Sequence, residues 1–186
     1  MFQSTLHREW PHDSIHFTLA DYNLDVLRLV TIPNLLLSWA FCTVAAIEGD
    51  TWSPESDLDI TEDLVESFLL DLGKRDITID AVSGAWGKGF EALLASTCQP
   101  TKRVVLASET IYSPATLGPF TRVLIDSLKG VQKTKALVAA KRMYFGVGGG
   151  IDGFVGEVEK LGGKVTEVAE ETTAGVSRAI LAVSCS

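Results

Sequence analysis

Four segments of the sequence place acidic, aromatic or glycine residues directly after an apolar run. They are "ADYN" (20–23), "SGAW" (83–86), "SETIY" (108–112) and "KRMYFGVGGG" (141–150). Carboxylates and aromatic rings at such positions can bind the hydroxyls and the base of a nucleoside, and glycine-rich loops can cradle phosphate groups. These four segments are therefore the candidates for a ligand site.

Several of these residues have two interpretations. The carboxylate of Asp21 suits the hydroxyls of a ribose, but it could equally cap a helix that begins near Leu24. Trp86 could stack on an adenine or pack in the core, which is the commoner fate of a tryptophan. Glu109 would be costly at the end of a buried strand unless it faces a cleft or pairs with a cation. Tyr112 could donate a hydrogen bond or pack against a substrate ring.

The glycine loop is a weak match for a phosphate-binding loop. A loop of the Walker type needs Gly-Lys-Ser/Thr at the helix start, whereas Gly150 is followed by Ile151 and the negatively charged Asp152. Glycines also permit positive φ and close backbone approach. A flexible or tightly turned lid beside a pocket is the better interpretation, formed by Gly146, Gly148, Gly149 and Gly150.

Strands that alternate with helices predict an α/β domain with a mostly parallel sheet. The predicted strands are 15–21, 76–84, 103–109 (buried on both faces), 135–140, 164–168 and 178–185. The predicted helices are 24–30, 33–46 with Pro33 at its start, 61–73 between a Thr61 cap and a Gly73 stop, 113–130 and 149–163. The last two strands have no helix between them and should form an antiparallel pair. Ligands of such sheets bind at the carboxyl ends of the strands, where all four segments lie.

The composition fits one domain that spans residues 1–186. Hydrophobic residues make up 46% of the chain, enough for a core, and the net charge is −8. An acidic chain is a poor candidate for direct nucleic-acid binding, whereas a basic partner protein suits it. The three cysteines, Cys42, Cys98 and Cys185, are widely spaced and odd in number. Neither a disulfide framework nor a metal site is predicted, and a reducing intracellular compartment is favoured.

Two other stretches bear on membranes and exposed loops. The first residues contain no apolar signal-peptide core. The apolar stretch 32–47 has 16 residues, fewer than the roughly 20 that cross a bilayer, so a buried helix and no membrane contact are predicted. Residues 48–63 are rich in acids and are interpreted as an exposed acidic insertion, or as a solvated loop without a role.

Four strings of the sequence together resemble one protein family. "LADYNLDVLRLVTIPNLLL", "SGAW", "SETIYSPATL" and "AAKRMYFGVGGGIDGF" are similar to the protein-histidine N-methyltransferases, which are seven-β-strand methyltransferases dependent on S-adenosylmethionine. The resemblance runs from about Ile15 to the C-terminus, interrupted by the acidic stretch. It implies a Rossmann-like class I methyltransferase sheet, mostly parallel with an antiparallel C-terminal edge.

The resemblance also implies roles for individual residues. In the family, the "DYN" acid faces the cofactor ribose, an "SGDW" segment borders the adenine, and "SETIY" lies where cofactor and acceptor meet. The implied cofactor contacts are Asp21, Asn23, Gly84, Trp86 and Ser108. Glu109 and Tyr112 become the candidate catalytic residues, and the glycine loop becomes a lid over the substrate.

The reaction that the resemblance implies is methyl transfer from S-adenosylmethionine to a histidine ring nitrogen of a protein. The implied substrate is a basic ribosomal protein, and the implied location is the cytoplasm and the nucleus. The acceptor imidazole must be neutral to attack, and a carboxylate that accepts a hydrogen bond from its other nitrogen would fix the tautomer. Glu109 is the candidate for that task.

The sequence departs from the family pattern in two places. Residues 1–13 contain no glycine where the resemblance places a glycine-rich cofactor turn, and Ala85 stands in place of the "SGDW" acid. An N-terminally truncated domain without its central first strand is therefore expected, with weak or no cofactor binding. Residues 14–20 and 103–108 would then pair directly, and a preparation would tend to aggregate. The alternative is a non-catalytic remnant that acts at most as a protein-binding module.

Overall fold

The structure, a computed structural model, describes residues 14–48, 57–97, 102–173 and 175–185. The contacts divide the chain into two compact units, Met1–Gly84 and Ala85–Ser186, and each is described by itself. The expectations for residues 1–13, for Cys98 and for most of the acidic stretch lie outside the described residues. Asp57 and Asp59, at the end of that stretch, are exposed.

The first unit contains a parallel pair of strands and a long helical run. Its elements are β1 (Ile15–Asp21), α1 (Leu24–Val26), a π-helical segment (Leu27–Thr31), α2 (Ile32–Glu48), α3 (Glu62–Lys74) and β2 (Ile77–Ser83). β1 and β2 pair in register from Ile15 opposite Ile77 to Asp21 opposite Ser83. The core packs one side of α2 against α3 and β2, and Trp39 donates from Nε1 to Asp71 at 2.8 Å.

The helical run of the first unit differs from the prediction at Pro33. No new helix begins there, because helix continues from Leu24 through the π-helical segment, where the Ile32 amide donates to the Leu27 carbonyl. Proline has no amide hydrogen and cannot donate a helical hydrogen bond. The wider π-helical turn just before Pro33 lets the helix continue without that bond.

This continuous helical run begins eight residues before the apolar stretch 32–47, from which a buried helix was predicted. In the described residues, Leu24–Thr43 is one helix that is long and apolar enough to cross a membrane by length and composition, a test that core helices also pass. Trp39 and Ala40 are buried, but Leu29 and Phe41 are exposed. The prediction of a buried helix is therefore correct for one side of the helix only.

Helix α3 begins as predicted and ends slightly later. The Thr61 hydroxyl accepts a hydrogen bond from the Leu64 amide at 3.2 Å, which is the geometry of an N-cap. Gly73 does not stop the helix, which continues to Lys74 and closes through the amide of Arg75. Asp76, with φ 54°, makes the reversal into β2.

The second unit is a four-stranded mixed sheet with helices. Its elements are α4 (Lys88–Thr97), β3 (Lys102–Ser108), α5 (Pro114–Leu128), β4 (Lys133–Lys141), α6 (Ile151–Lys160), β5 (Gly163–Thr173) and β6 (Val176–Cys185). The strand order is β3-β4-β6-β5, with β3 parallel to β4 and the other two pairings antiparallel. The predicted antiparallel pair at the C-terminus is confirmed. Helix α4 was not predicted.

The core of the second unit lies on one face of its sheet. Side chains of α5 and α6 pack there against alternate residues of the strands, including Val138 and Leu181. Val105 and Ala107 of β3 face the same core, whereas Val104 and Leu106 are 50% and 56% exposed. Because successive side chains of a strand point to opposite faces, the second face of β3 is bare. The prediction that this strand is buried on both faces is wrong.

The described strands form two separate sheets. β1 pairs with β2, and β3 pairs with β4. The expected direct pairing of residues 14–20 with 103–108 is therefore wrong. The architecture is α/β, with one parallel and one mixed sheet.

Candidate functional site

The end of β3 carries an unusual backbone conformation. Glu109 has φ 55°, in the left-handed region, and its amide donates to the carbonyl of Ala139 at 3.0 Å. A residue with a Cβ in this region is strained by roughly 1–2 kcal/mol. This backbone conformation ends the strand directly after Ser108 and leaves the Glu109 side chain exposed at the strand end.

Tyr144 is a buried polar residue close enough to Glu109 for the carboxylate to affect its pKa. It is only 9% exposed, and its hydroxyl accepts a hydrogen bond from the Lys141 amide at 3.1 Å. Burial raises the pKa of Tyr144, and a hydrogen bond to the Glu109 carboxylate raises it further, against the opposing effect of the Lys141 amide. Tyr144 therefore stays a neutral phenol that can donate to Glu109. The sequence reasoning missed it, because its segment was examined for glycines.

Tyr112 and Thr110 are also close to Tyr144 and Glu109. The Tyr112 ring, 48% exposed, meets the Tyr144 ring edge-to-face with centroids 6.4 Å apart. The hydroxyl of Thr110 is buried and has no hydrogen-bond partner among the described residues. An orphaned buried hydroxyl next to Glu109 suits a site that receives a polar ligand.

The glycine loop is tightly turned. Met143 and Gly150 form a bridge, and within the loop the Gly148 amide donates to the Tyr144 carbonyl at 3.2 Å. Gly146 and Gly148 have φ of 77° and 84°, which glycine adopts without strain. A Cβ at Gly149 would lie 2.2 Å from the backbone of Tyr112, so the loop packs directly on the "SETIY" segment. The loop is therefore tightly turned, and its role as a lid over the substrate stays a prediction.

The other side of the loop is apolar and open. Phe145 is 87% exposed, and Met143 and Val147 are also exposed. Gly150 precedes α6 with extended backbone and no side-chain cap, and Asp152 lies in the first turn. A negative charge at that helix start disfavours phosphate, which is the feature that makes the sequence a weak match for a phosphate loop.

Arg142 connects the base of the glycine loop to the β5–β6 hairpin. Its guanidinium donates to Glu167 at 2.8 Å and to Glu170 at 2.6 Å, and the Ser177 hydroxyl also donates to Glu170 at 2.6 Å. The Arg142 hydrogen bond, more than any other contact, lowers the pKa of Glu170 to about 2. The carboxylate thus stays ionised in moderately acidic solution.

The Glu170 contacts predict a loss of stability in acid. A folded pKa below the ordinary 4.5 means that the contribution is complete above pH 4.5 and disappears as the pH falls toward about 2. Urea unfolding of Glu170→Gln across this range should show a flatter pH dependence than the wild type. Glu159→Gln, an exposed glutamate on α6, is the control and should keep the wild-type slope. Equal slopes for all three proteins would contradict the assignment.

The first unit holds three of the predicted cofactor residues, Asp21, Asn23 and Gly84. Asn23, not Asp21, is the N-cap of α1 and accepts from the Asp25 amide, while Asp21 Oδ1 accepts from the Asn23 amide at 2.8 Å. The Gly84 amide, at φ 142°, donates to the Asp21 carbonyl at 3.2 Å. These bonds bring Asp21, Asn23 and Gly84 together at the ends of β1 and β2. In the described residues, Asp21 Oδ2 has no hydrogen-bond partner.

Trp86 lies in the second unit and is partly buried. Its ring meets Phe90 and Phe120 edge-to-face, with centroids 4.6 and 5.7 Å apart. Packing in an aromatic cluster is thus its observed role, and stacking on adenine stays a prediction. Within the described ranges, no three His, Cys, Asp or Glu side chains are close enough to hold a metal ion.

The structure thus gathers the predicted residues in two groups. The second unit brings Glu109, Tyr112 and the glycine loop together around Tyr144, with Ser108 at the strand end. The first unit brings together Asp21, Asn23 and Gly84. The first group has the parts to orient a polar ligand, namely an exposed carboxylate on a left-handed turn, aromatic rings and an orphaned hydroxyl.

Comparison with known proteins gives one consistent group of relatives. The chain is 36% identical over 166 residues to Histidine protein methyltransferase 1 of Saccharomyces cerevisiae, which covers 83% of this chain and 44% of that protein. It is 40% identical over 142 residues to the Schizosaccharomyces pombe protein of the same name, with 76% and 40% covered. No protein-family model matches the chain.

A mammalian relative matches a larger share of this chain. Histidine protein methyltransferase 1 homolog of Bos taurus is 30% identical over 168 residues, which is 90% of this chain and 41% of that protein. The chain spans less than half the length of each of these relatives. Over the matched residues, the chain belongs to the family of the protein-histidine methyltransferases.

Proposed function

We propose that this chain takes part in S-adenosylmethionine-dependent methylation of a histidine ring nitrogen in a protein. The observation that carries the proposal is the 36% and 40% identity to two histidine protein methyltransferases over most of the chain. The group around Glu109 supports it, because histidine alkylation needs an oriented imidazole more than it needs covalent catalysis.

Glu109 is proposed to hold the acceptor imidazole. A target histidine can attack through one ring nitrogen only when that nitrogen carries no proton, so the proton must sit on the other nitrogen. A carboxylate that accepts this N–H fixes both the tautomer and the ring plane. The left-handed backbone of Glu109 restricts where its carboxylate can lie, and the buried Tyr144 phenol is near enough to the carboxylate for the pair to raise the Tyr144 pKa.

S-adenosylmethionine would supply an electrophilic methyl group. In the first unit, Asp21 Oδ2 is placed to accept from a ribose hydroxyl, with Oδ1 already fixed by the Asn23 amide. Gly84 leaves open space where a Cβ would be. In the second unit, the orphaned Thr110 hydroxyl and the exposed Ser108 are available to a ligand at the strand end. The Asp21 carboxylate, taken within the first unit alone, therefore fits a contact to the ribose of the cofactor.

The proposed substrate is a basic protein, with ribosomal proteins as the first choice. The net charge of −8 favours association with a basic surface and disfavours direct binding to nucleic acid. The exposed Phe145 and Met143 can contact residues that flank the target histidine. We propose the cytoplasm and the nucleus as the location, which matches such a substrate.

The proposal predicts that the purified chain, given labelled S-adenosylmethionine in large excess because weak cofactor binding is expected, transfers methyl groups to histidine in a mixture of ribosomal proteins. Mass spectrometry should place the label on an imidazole nitrogen. Glu109→Gln should lower the rate by roughly 10²-fold or more, since general acid–base groups contribute at least this much. Glu159→Gln should transfer at the wild-type rate.

Two results would count against the proposal. Label on lysine or arginine and none on histidine would exclude the histidine assignment. No transfer by the wild-type chain, with fold confirmed by circular dichroism, would favour the non-catalytic protein-binding alternative for this chain.

A further inference from the structure

The Glu109 side chain has a rotational freedom that its proposed role does not allow. Its backbone, with φ 55° and the hydrogen bond to Ala139, fixes where the side chain leaves the main chain. The carboxylate itself is exposed and lies beyond several rotatable bonds. Among the described residues, no lysine, arginine or histidine forms an ion pair with it. A contact from another residue is therefore needed to orient the carboxylate before an imidazole binds.

Tyr144 is held in place from several sides. Its amide donates to the Gly149 carbonyl at 3.3 Å, and its carbonyl accepts from the Gly148 amide at 3.2 Å. Its ring is buried, meets the Tyr112 ring edge-to-face and has its centroid 5.6 Å from the Lys141 ammonium. Because backbone and ring are both fixed, the Tyr144 hydroxyl is presented at one place.

The hydroxyl of Tyr144 has a proton left to donate. The Lys141 amide donates to its oxygen at 3.1 Å, and this bond uses a lone pair and leaves the O–H free. Burial raises the pKa of Tyr144, the Lys141 amide lowers it, and a hydrogen bond to the Glu109 carboxylate raises it again, against a weak opposing effect of Arg178. The phenol thus keeps its proton next to an ionised acceptor.

A carboxylate can accept from two donors at once, one at each oxygen. If the Tyr144 O–H occupies one oxygen of Glu109, the plane of the carboxylate is set and the second oxygen is left for the acceptor imidazole. A hydrogen bond to an ionised group is short and directional, which suits it to this task.

We propose that Tyr144 is a positioning residue, whose phenol O–H holds one oxygen of the Glu109 carboxylate so that the other oxygen accepts the N–H of the target imidazole. The inference rests on the proposed histidine methylation and adds a second residue to it. Tyr144 neither gains nor loses a proton in this role, so the transfer of methyl from sulfur to nitrogen balances without it.

A titration tests the contact between Tyr144 and Glu109 without any methyl transfer. The chain has three tyrosines, and labelling each ring with ¹³C at the carbon that bears the hydroxyl gives one resonance per tyrosine. Glu109→Gln should lower the pKa of Tyr144, because the charge that opposes phenolate formation is removed. Glu159→Gln is the control and should leave the Tyr144 titration as in the wild type. An unchanged Tyr144 titration in Glu109→Gln overturns the proposal.

The kinetics of methyl transfer test whether Tyr144 acts through Glu109. Tyr144→Phe should lower kcat by roughly 10- to 100-fold, the factor for losing a hydrogen bond to a charged group, with little change in KM. In the double variant with Glu109→Gln, kcat should be no lower than in Glu109→Gln alone, because the residue that Tyr144 orients is already disabled. An unchanged kcat in Tyr144→Phe, or two losses that simply multiply, overturns the proposal.

Thr121→Val is the matched control for a general structural effect. Thr121 is fully buried in the same unit, and its hydroxyl donates to the Leu117 carbonyl at 2.8 Å. This variant should lose stability and keep the wild-type kcat, and a loss of kcat equal to that of Tyr144→Phe overturns the proposal. If the wild-type chain transfers no methyl group, the methylation proposal fails, and the titration alone decides whether Tyr144 holds Glu109.

Discussion

Adding one methyl group at Gly149 is expected to destabilise the second unit by about 3 kcal/mol, the upper part of the usual range for overpacking. The Cβ of Gly149→Ala would lie 2.2 Å from the carbonyl carbon and oxygen of Tyr112 and 2.6 Å from the carbonyl oxygen of Ile111. These are backbone atoms and cannot rotate away, so the loop must move off the "SETIY" segment. Urea unfolding followed by circular dichroism measures the cost.

A second glycine of the same unit is the control for Gly149. Gly156 lies inside α6, and a Cβ there would meet nothing within 4 Å. Gly156→Ala should therefore gain roughly 0.4–1 kcal/mol, because alanine loses less chain entropy in a helix. If Gly149→Ala is as stable as Gly156→Ala, the loop does not pack on Tyr112 as described. Movement of the loop should also displace Tyr144, so methyl transfer should fall together with stability.

Truncating Phe154 to alanine is expected to cost about 3–5 kcal/mol, the range for a fully buried phenylalanine. Phe154 has no exposed surface, belongs to the main core, and packs on Phe120 at a centroid distance of 6.4 Å. Since whole domains are stable by only about 5–15 kcal/mol, this single change should bring the unit close to unfolding at room temperature.

Phe145→Ala is the matched comparison, since it removes the same side chain from a position that is 87% exposed. Its effect on stability should stay within about 0.5 kcal/mol, as for most surface changes. The two variants should therefore separate stability from function. A loss of methyl transfer in Phe145→Ala without a loss of stability would support a substrate contact at the loop. Similar unfolding midpoints for the two variants would contradict the burial of Phe154.

The order of strands and helices could be predicted because its signals are local. Each of these signals depends on a few neighbouring residues. Examples are the alternation at Ile77 and Ile79, the Thr61 cap, and the lack of a helix between the last two strands. The end of β1 was also predictable, but the choice between two roles for Asp21 was not. The observed N-cap is Asn23, and the sequence spacing allows either residue to cap.

What could not be predicted depends on contacts between distant residues. The "VVLA" run of β3 has the same pattern whether its second face is covered or bare, so the exposure of Leu106 has no sequence signal. Tyr144 matters because folding brings Glu109 to its hydroxyl from a different strand end. Pro33 indicates a helix start in most contexts, and only the π-helical turn before it makes a continuous run possible.

The left-handed backbone at Glu109 sets stability against the role proposed for its carboxylate. Glycine or asparagine would adopt φ 55° with less strain than glutamate does, so stability alone favours replacing it. A lineage that has stopped using the carboxylate would be free to drift toward those residues, and each such change would be neutral or slightly beneficial to folding. If the role proposed for Glu109 is correct, chains that use the carboxylate are expected to keep glutamate here despite the less stable turn.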